Sequence, residues 1–159
     1  MTLPAMTVRP AARDALLLVA RVLLGVVLIA HGWQKFATYG IGGTAGSFAQ
    51  MGIPLPAVAA VFAAVVELAG GAALLLGAAT AVVGALVVLD MLGAFLLVHA
   101  GNGVFIDGGG FELVAALGAG ALVLAATGAG RVSVDHVIGT RLRTRTGAGA
   151  GTAQLAETR

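Results

Sequence analysis

At 159 residues the chain has room for one domain rather than two, and it is 59% hydrophobic with only 10% charged residues. Soluble domains carry about 25% charged residues, so this chain cannot cover a water-facing surface, and its main solvent is lipid. The mean hydropathy of +1.03 agrees; the pI near 9.9 comes from basic residues gathered toward the two ends, so a membrane accounts for it and no nucleic-acid partner is expected.

The first hydrophobic segment covers about residues 14–35, with Arg21 as the one charge between Ala15 and Ala30. At about 1.5 Å per residue, 20 helical residues cross the roughly 30 Å hydrocarbon core. Arg9 and Arg13 before an apolar run also resemble a secretory leader, but Leu28-Ile29-Ala30 is a poor cleavage site, so retention is expected. Trp33, Phe36 and Tyr39 suit the interface where the helix leaves the membrane. Thr44 to Met51 read as a short surface helix with Phe48 and Met51 dipping inward.

The second segment, 56–77, begins after Pro54 and at Pro56, where a missing N–H costs little, and is interrupted only by Glu67. Gly77 closes it, and the short Ala78-Ala79 link makes an antiparallel hairpin with the third segment, 80–100, which holds Asp90 and His99. Gly108-Gly109-Gly110 is a turn that limits the fourth segment to 111–127, near the lower length for a span. Backbone groups in lipid must pair within the protein, and continuous runs without alternation do this as helices. The fold class is therefore all-α, a four-transmembrane-helix bundle. Its membrane domain covers 14–136, between an N-terminal segment 1–13 and a tail 137–159 expected to be disordered. Arg9 and Arg13 at one end and Arg131, Arg141, Arg143 and Arg145 at the other place both termini in the cytoplasm by the positive-inside rule.

The polar residues inside the spans carry the functional signal. A charge at the bilayer centre costs at least about 2.5–3.5 kcal/mol, so such residues need partners or water. Counting along the helices puts Arg21 about 10 Å, Glu67 about 14 Å and Asp90 about 15 Å from the cytoplasmic end. The three could form one mid-membrane network in which Arg21 pairs with Glu67 or with Asp90. His31, Lys35, His99 and Glu112 fall in an outer polar layer, with Asp107 nearby. Arg21, Gly25, Gly32 and Lys35 share one stripe of the first helix, and Gly70 and Gly71 follow Glu67, so these glycines allow close helix approach.

Each polar residue also has a plain structural reading. Arg21 with a carboxylate can simply fix helix register, His31 and His99 can be interfacial, and Glu112 can cap the fourth helix. A bis-histidine haem site from His31 and His99 has no further haem signature, and no metal site is expected. With no cysteines, dithiol chemistry and Cys-ligated metals are excluded. No phosphate loop, His-Glu-x-x-His or Gly-x-Ser-x-Gly motif occurs.

Arg21, Gly25 and His31-Gly32-Trp33-Gln34-Lys35 resemble the first helix of the DoxX family. Gly52-Ile53-Pro54, Glu67-Leu68-Ala69-Gly70-Gly71, Gly110-Phe111-Glu112 and Gly128-Ala129-Gly130-Arg131-Val132-Ser133-Val134-Asp135 follow in matching order. The resemblance covers about residues 14–136. It implies a small bacterial inner-membrane protein of four helices, linked to membrane redox and oxidative-stress work. One branch resembles the large subunit of a thiosulfate:quinone oxidoreductase, and another partners detoxifying enzymes in a membrane-associated complex. The chain departs from the family pattern at Ala81, where the family often has Arg after Thr, and Asp90 is not a regular family feature. The architecture also resembles vitamin K epoxide reductase, whose chemistry needs the cysteines absent here.

Two functional readings stay open. In one, the chain is a membrane subunit of an oxidoreductase system, binding quinone or a small sulfur compound among Arg21, Glu67, His31 and His99, and meeting an oxidoreductase partner. In the other, it is a non-enzymatic scaffold or a small transporter that works as a homo-oligomer, whose buried charges line a polar cavity.

Overall fold

The computed structural model describes residues 9–144. Six helices account for most of them: α1 (Pro10–Thr38), α2 (Gly40–Gln50), α3 (Pro56–Leu76), α4 (Thr80–His99), α5 (Glu112–Thr127) and α6 (134–144). Three of these, α1, α3 and α4, are long and apolar enough to cross a membrane, and α5 is a shorter apolar helix. Together they are a four-helix membrane bundle, as the hydrophobic runs predict. No strand occurs among the described residues.

Helix starts and stops follow local chemistry. Proline at Pro10 and Pro56 occupies the first turn, where the N–H has no intrahelical acceptor. α3 ends on Gly77 in the left-handed region (φ 67°), and Ala79 adopts the same region (φ 48°) in the tight link to α4. Residues with a Cβ enter that region at a cost, so the hairpin needs outside support, described below.

Three boundaries differ from expectation. α1 starts at Pro10, so the N-terminal segment is already helical before residue 14. α2 starts four residues before Thr44, because the left-handed Gly40 turns the chain at once after α1. The tail expected to be disordered from 137 is helical as far as 144; its remainder, and residues 1–8, lie outside the described residues.

The helices pack as two antiparallel pairs. In the α1/α3 pair, Gly25 and Gly71 face each other so closely that a Cβ on Gly25 would lie 2.7 Å from the Gly71 carbonyl oxygen, and Gly32 seats against the Leu68 backbone. The spacing of small residues thus sets the approach, as it does generally between membrane helices. α4 and α5 form the second pair. The pairs join through Leu17, Leu24, Leu74, Val87 and Leu124, all buried toward the end where α1 begins, here called the base. Toward the opposite end, the mouth, they diverge. The outer half of α3 (Pro56–Val65) packs on α2 and α1, whereas α4 packs on the inner turns of α3.

Each long helix widens by one π turn, at the mouth end of α1 (Gln34–Thr38) and of α4 (Phe95–His99) and just past mid-span in α3 (Val66–Gly70). The Tyr39 N–H donates to the Gln34 carbonyl at 2.9 Å and the Ala100 N–H to Phe95 at 2.8 Å, five residues back. Such turns insert a residue, re-aim the side chains after it and recur at functional sites. The Thr44 hydroxyl of α2 donates to the Lys35 carbonyl at 3.0 Å, satisfying a group that the helix end would leave open.

Candidate functional site

The divergence of the two pairs leaves a cavity of about 580 Å³ at the mouth, half open and mostly apolar. Ligand cavities commonly hold about 300–1,000 Å³. Phe48 and Met51 of α2 and Ile106 of the α4–α5 loop stand over it; Phe62, Met91 and Leu117 form its walls. Its polar groups come from three helices: His31 and Lys35 of α1, Glu67 of α3, and Asp90 and His99 of α4. Lys35, Glu67 and His99 all sit within the π turns.

Lys35 Nζ donates to Glu67 Oε2 at 2.6 Å, with the lysine side chain 19% and the glutamate 7% exposed. An ion pair this short and this dry holds α1 and α3 at one register, because removing either partner would leave a buried charge. Asp90 is buried too, and lies within electrostatic reach of both Glu67 and Lys35. Its Oδ2 has no hydrogen-bond partner. Lys35 therefore offsets Glu67, and the cavity holds one further carboxyl that no cation balances. His99 Nδ1 donates to the Gly109 carbonyl at 2.7 Å, which assigns the proton to Nδ1 and leaves Nε2 as the acceptor. His31 lines the cavity without a hydrogen bond among the described residues.

The expected network of Arg21 with Glu67 or Asp90 does not form. Arg21 Nη1 donates to the Ala129 carbonyl at 2.8 Å and Nη2 to the Val132 carbonyl at 2.6 Å. The depth count placed its Cα, but the long side chain carries the guanidinium toward the base, where carbonyl dipoles replace water. Glu67 likewise joins the mouth layer, because the lysine stem reaches inward to meet it. Glu112 stays apart. Instead of capping α5, its Oε1 accepts from the Ile106 N–H at 2.7 Å and ties down the α4–α5 loop.

At the base, residues 128–135 form a latch across the helix ends. Asp135 accepts from the Ala79 N–H at 2.6 Å and the Thr80 N–H at 2.9 Å, capping α4 from outside and supporting the strained Ala79 link. The Asp135 N–H returns a bond to the Gly77 carbonyl at 2.9 Å, and the Arg131 N–H donates to Asp14 at 3.0 Å. A side chain at Gly77 would run into the Arg21 guanidinium, so the turn and the arginine fit only with glycine there. Burial alone would raise the Asp135 carboxyl, but the Thr80 and Ala79 donors and the Arg21 charge outweigh it and hold it below the usual carboxylate range.

Five of the seven polar residues singled out from the sequence thus meet around one cavity: His31, Lys35, Glu67, Asp90 and His99. Arg21 and Glu112 do not. Sequence reasoning missed Asp135 as the cap of α4. The available signal was an acid following Gly128 and Gly130, whose left-handed conformations (φ 77° and 78°) turn the chain back onto the bundle. Among the described residues no group of three His, Cys, Asp or Glu could hold a metal ion.

Residues 16–100 match the DoxX family. Among curated proteins the chain is similar to "Inner membrane protein YphA" of Escherichia coli, 32% identical over 131 residues that cover 79% of this chain and 92% of that protein. It is also similar to "Putative oxidoreductase CatD" of Bacillus subtilis, 38% identical over 81 residues, 51% of this chain and 58% of that protein. No solved structure matches it.

Proposed function

Since this chain belongs to the DoxX family and is a multi-pass protein of the bacterial inner membrane, we propose that it is the membrane subunit of a redox system, binding a quinone in the mouth cavity. One observation carries the reading: an apolar chamber between membrane helices whose polar groups, His31, Lys35, Glu67, Asp90 and His99, come from three different helices. A flat ring with polar oxygens and an apolar tail has that division of surface. A small sulfur compound would use the polar groups and leave the apolar walls unused, which favours the quinone. The name of the Bacillus subtilis relative, "Putative oxidoreductase CatD", supports redox work.

A quinone, when bound, supplies two-electron, two-proton chemistry. This chain supplies the hold. Lys35 and His31 present hydrogen-bond donors to ring oxygens, and Phe62 and Leu117 shield the ring from water. The electrons come from or go to the cofactor of an oxidoreductase partner. The base faces the cytoplasm in this reading, since Arg9, Arg13, Arg131, Arg141 and Arg143 gather there.

The test is purification in mild detergent, followed by quinone analysis of extracted lipid and mass spectrometry of co-purifying proteins. We expect quinone near one per chain, an oxidoreductase partner, and loss of the quinone in Lys35→Met. A clean protein with neither quinone nor partner would remove the redox reading and turn attention to a scaffold or transporter.

A further inference from the structure

Asp90 is the buried acid that the fold leaves without a partner, and unlike Arg21 Nε and Thr80 Oγ1, the other buried atoms in that state, its free oxygen belongs to a residue that lines the cavity. It is 8% exposed, its Oδ2 has no hydrogen-bond partner, and it lines the cavity. A buried polar atom without a partner is destabilising, because it has lost water and gained nothing in return. Moreover, ionisable residues inside membrane spans mark binding or transfer sites by default. Among the described residues Glu67 has Lys35, Asp135 has two N–H groups, Glu112 has the Ile106 N–H and Asp14 has the Arg131 N–H, while Asp107 is exposed. A register-fixing role would need a partner across a helix interface, and Asp90 Oδ2 has none.

The way to Asp90 is through lipid. Because the outer half of α3 leans on α1 and α2, it leaves α4 along the mouth half of the bundle. Ala59 and Phe62 of α3 and Leu89, Gly93 and Leu97 of α4 line the cavity along this gap. Leu89 and Leu97 are also exposed on the bundle's flank, at 56% and 49%. Gly93 has open space where a side chain would stand. A water-borne molecule would meet Phe48, Met51 and Ile106 at the mouth instead.

We infer that Asp90 anchors a bilayer-dissolved amphipathic molecule that slips in sideways between α3 and α4 and donates a head-group hydroxyl to the free carboxyl oxygen. A carboxyl group has an acceptor oxygen in either protonation state, so the complementary group on the ligand is a donor. The cavity's existing donors, on Lys35 and His31, suit a second oxygen on the same head. This rests on reading the cavity as a ligand site and holds whether or not the ligand is a quinol.

Dicyclohexylcarbodiimide tests it on the unaltered protein in lipid nanodiscs. The reagent partitions into the bilayer, and a carboxylic acid adds across one of its C=N bonds. The carboxyl oxygen bonds to carbon, the proton passes to nitrogen, and rearrangement gives a stable N-acylurea with no leaving group. Peptide mass spectrometry then identifies the residue. We expect Asp90 to be the intramembrane carboxyl labelled, and a water-soluble carbodiimide to label the exposed Asp107 while sparing Asp90. Competition follows with decylubiquinol under reducing conditions and with para-dodecylphenol, each beside its methyl ether, which lacks the donor. Slowing of at least about tenfold by a hydroxyl compound, equivalent to about 1.4 kcal/mol, with none by its ether, supports the inference. Protection by the phenol but not by the quinol keeps it and removes the quinone reading. Absence of Asp90 labelling, protection by neither hydroxyl compound, or equal protection by ether and hydroxyl overturns it.

Discussion

The base and the mouth of this bundle hold buried charge differently, although Arg21 Nε at the base, like Asp90 Oδ2 at the mouth, has no partner. At the base, the Arg21 guanidinium has two carbonyls, and Asp135 has two N–H donors and returns a third bond through its own backbone. The helix pairs meet there around buried leucines, and residues 128–135 close the end. At the mouth the same helices part, three π turns open, and acid and base face a cavity in which one carboxyl oxygen has no partner. Polar groups that spend their bonding on backbone hold a fold together. Polar groups left facing a cavity are available to something else.

That contrast can be broken in order of expected effect. Arg21→Ala should be the most damaging, since two hydrogen bonds to a charged group at about 1.5–3 kcal/mol each amount to roughly 3–6 kcal/mol. Thermal unfolding in detergent measures it, and a variant as stable as the parent would mean that the latch does not hold the base. Lys35→Met comes next, because it strands Glu67 in a dry site at a cost of about 3–5 kcal/mol. Adding Glu67→Met should recover most of that loss while quinone retention stays low. Failure of the second change to recover stability would show that the pair does not act as a unit.

Asp135→Asn keeps the size but weakens the cap of α4, at a cost of about 1 kcal/mol. Its pH dependence sharpens the point. The folded carboxyl sits below its ordinary value of about 3.9, so its contribution is full above that value and disappears as pH falls through the lower, folded one. The parent should therefore lose more stability than Asp135→Asn on acidification below about pH 4, and parallel losses would deny the carboxylate its role. Asp90→Leu, which removes the acceptor but no hydrogen bond within the fold, should move stability least, while ligand retention drops about tenfold. A large loss of stability with unchanged retention would reverse the assignment and make Asp90 structural.

Much of the architecture was legible in the chain, because membrane helices are written locally. Twenty apolar residues, a proline at the start and a glycine at the stop suffice, whatever the neighbours are. Gly25, Gly32 and Gly71 marked surfaces of close approach because only small side chains let backbones meet, but that α1 and α3 face each other through them came from the fold. Position along each helix grouped His31, Lys35, His99 and Glu112 in one layer; the first three line the cavity and Glu112 does not. The partners of Arg21 were not. They are main-chain carbonyls of a loop more than a hundred residues away, and a carbonyl has no side-chain signature. Glu67 was assigned to the wrong layer for a related reason, since counting residues locates a Cα and ignores the reach of a lysine stem.

What the sequence by itself determined is the solvent and the topology: a bundle of helices in lipid, with its start and its end together at one face. Hydrophobicity summed over a span decides that without reference to any other segment. What only the tertiary structure decided is which polar groups are satisfied and which are free. That division depends on the angle between the two helix pairs, on three π turns and on a loop folded back over the base. Each of these is a balance between distant segments, and none is carried by any single stretch of residues.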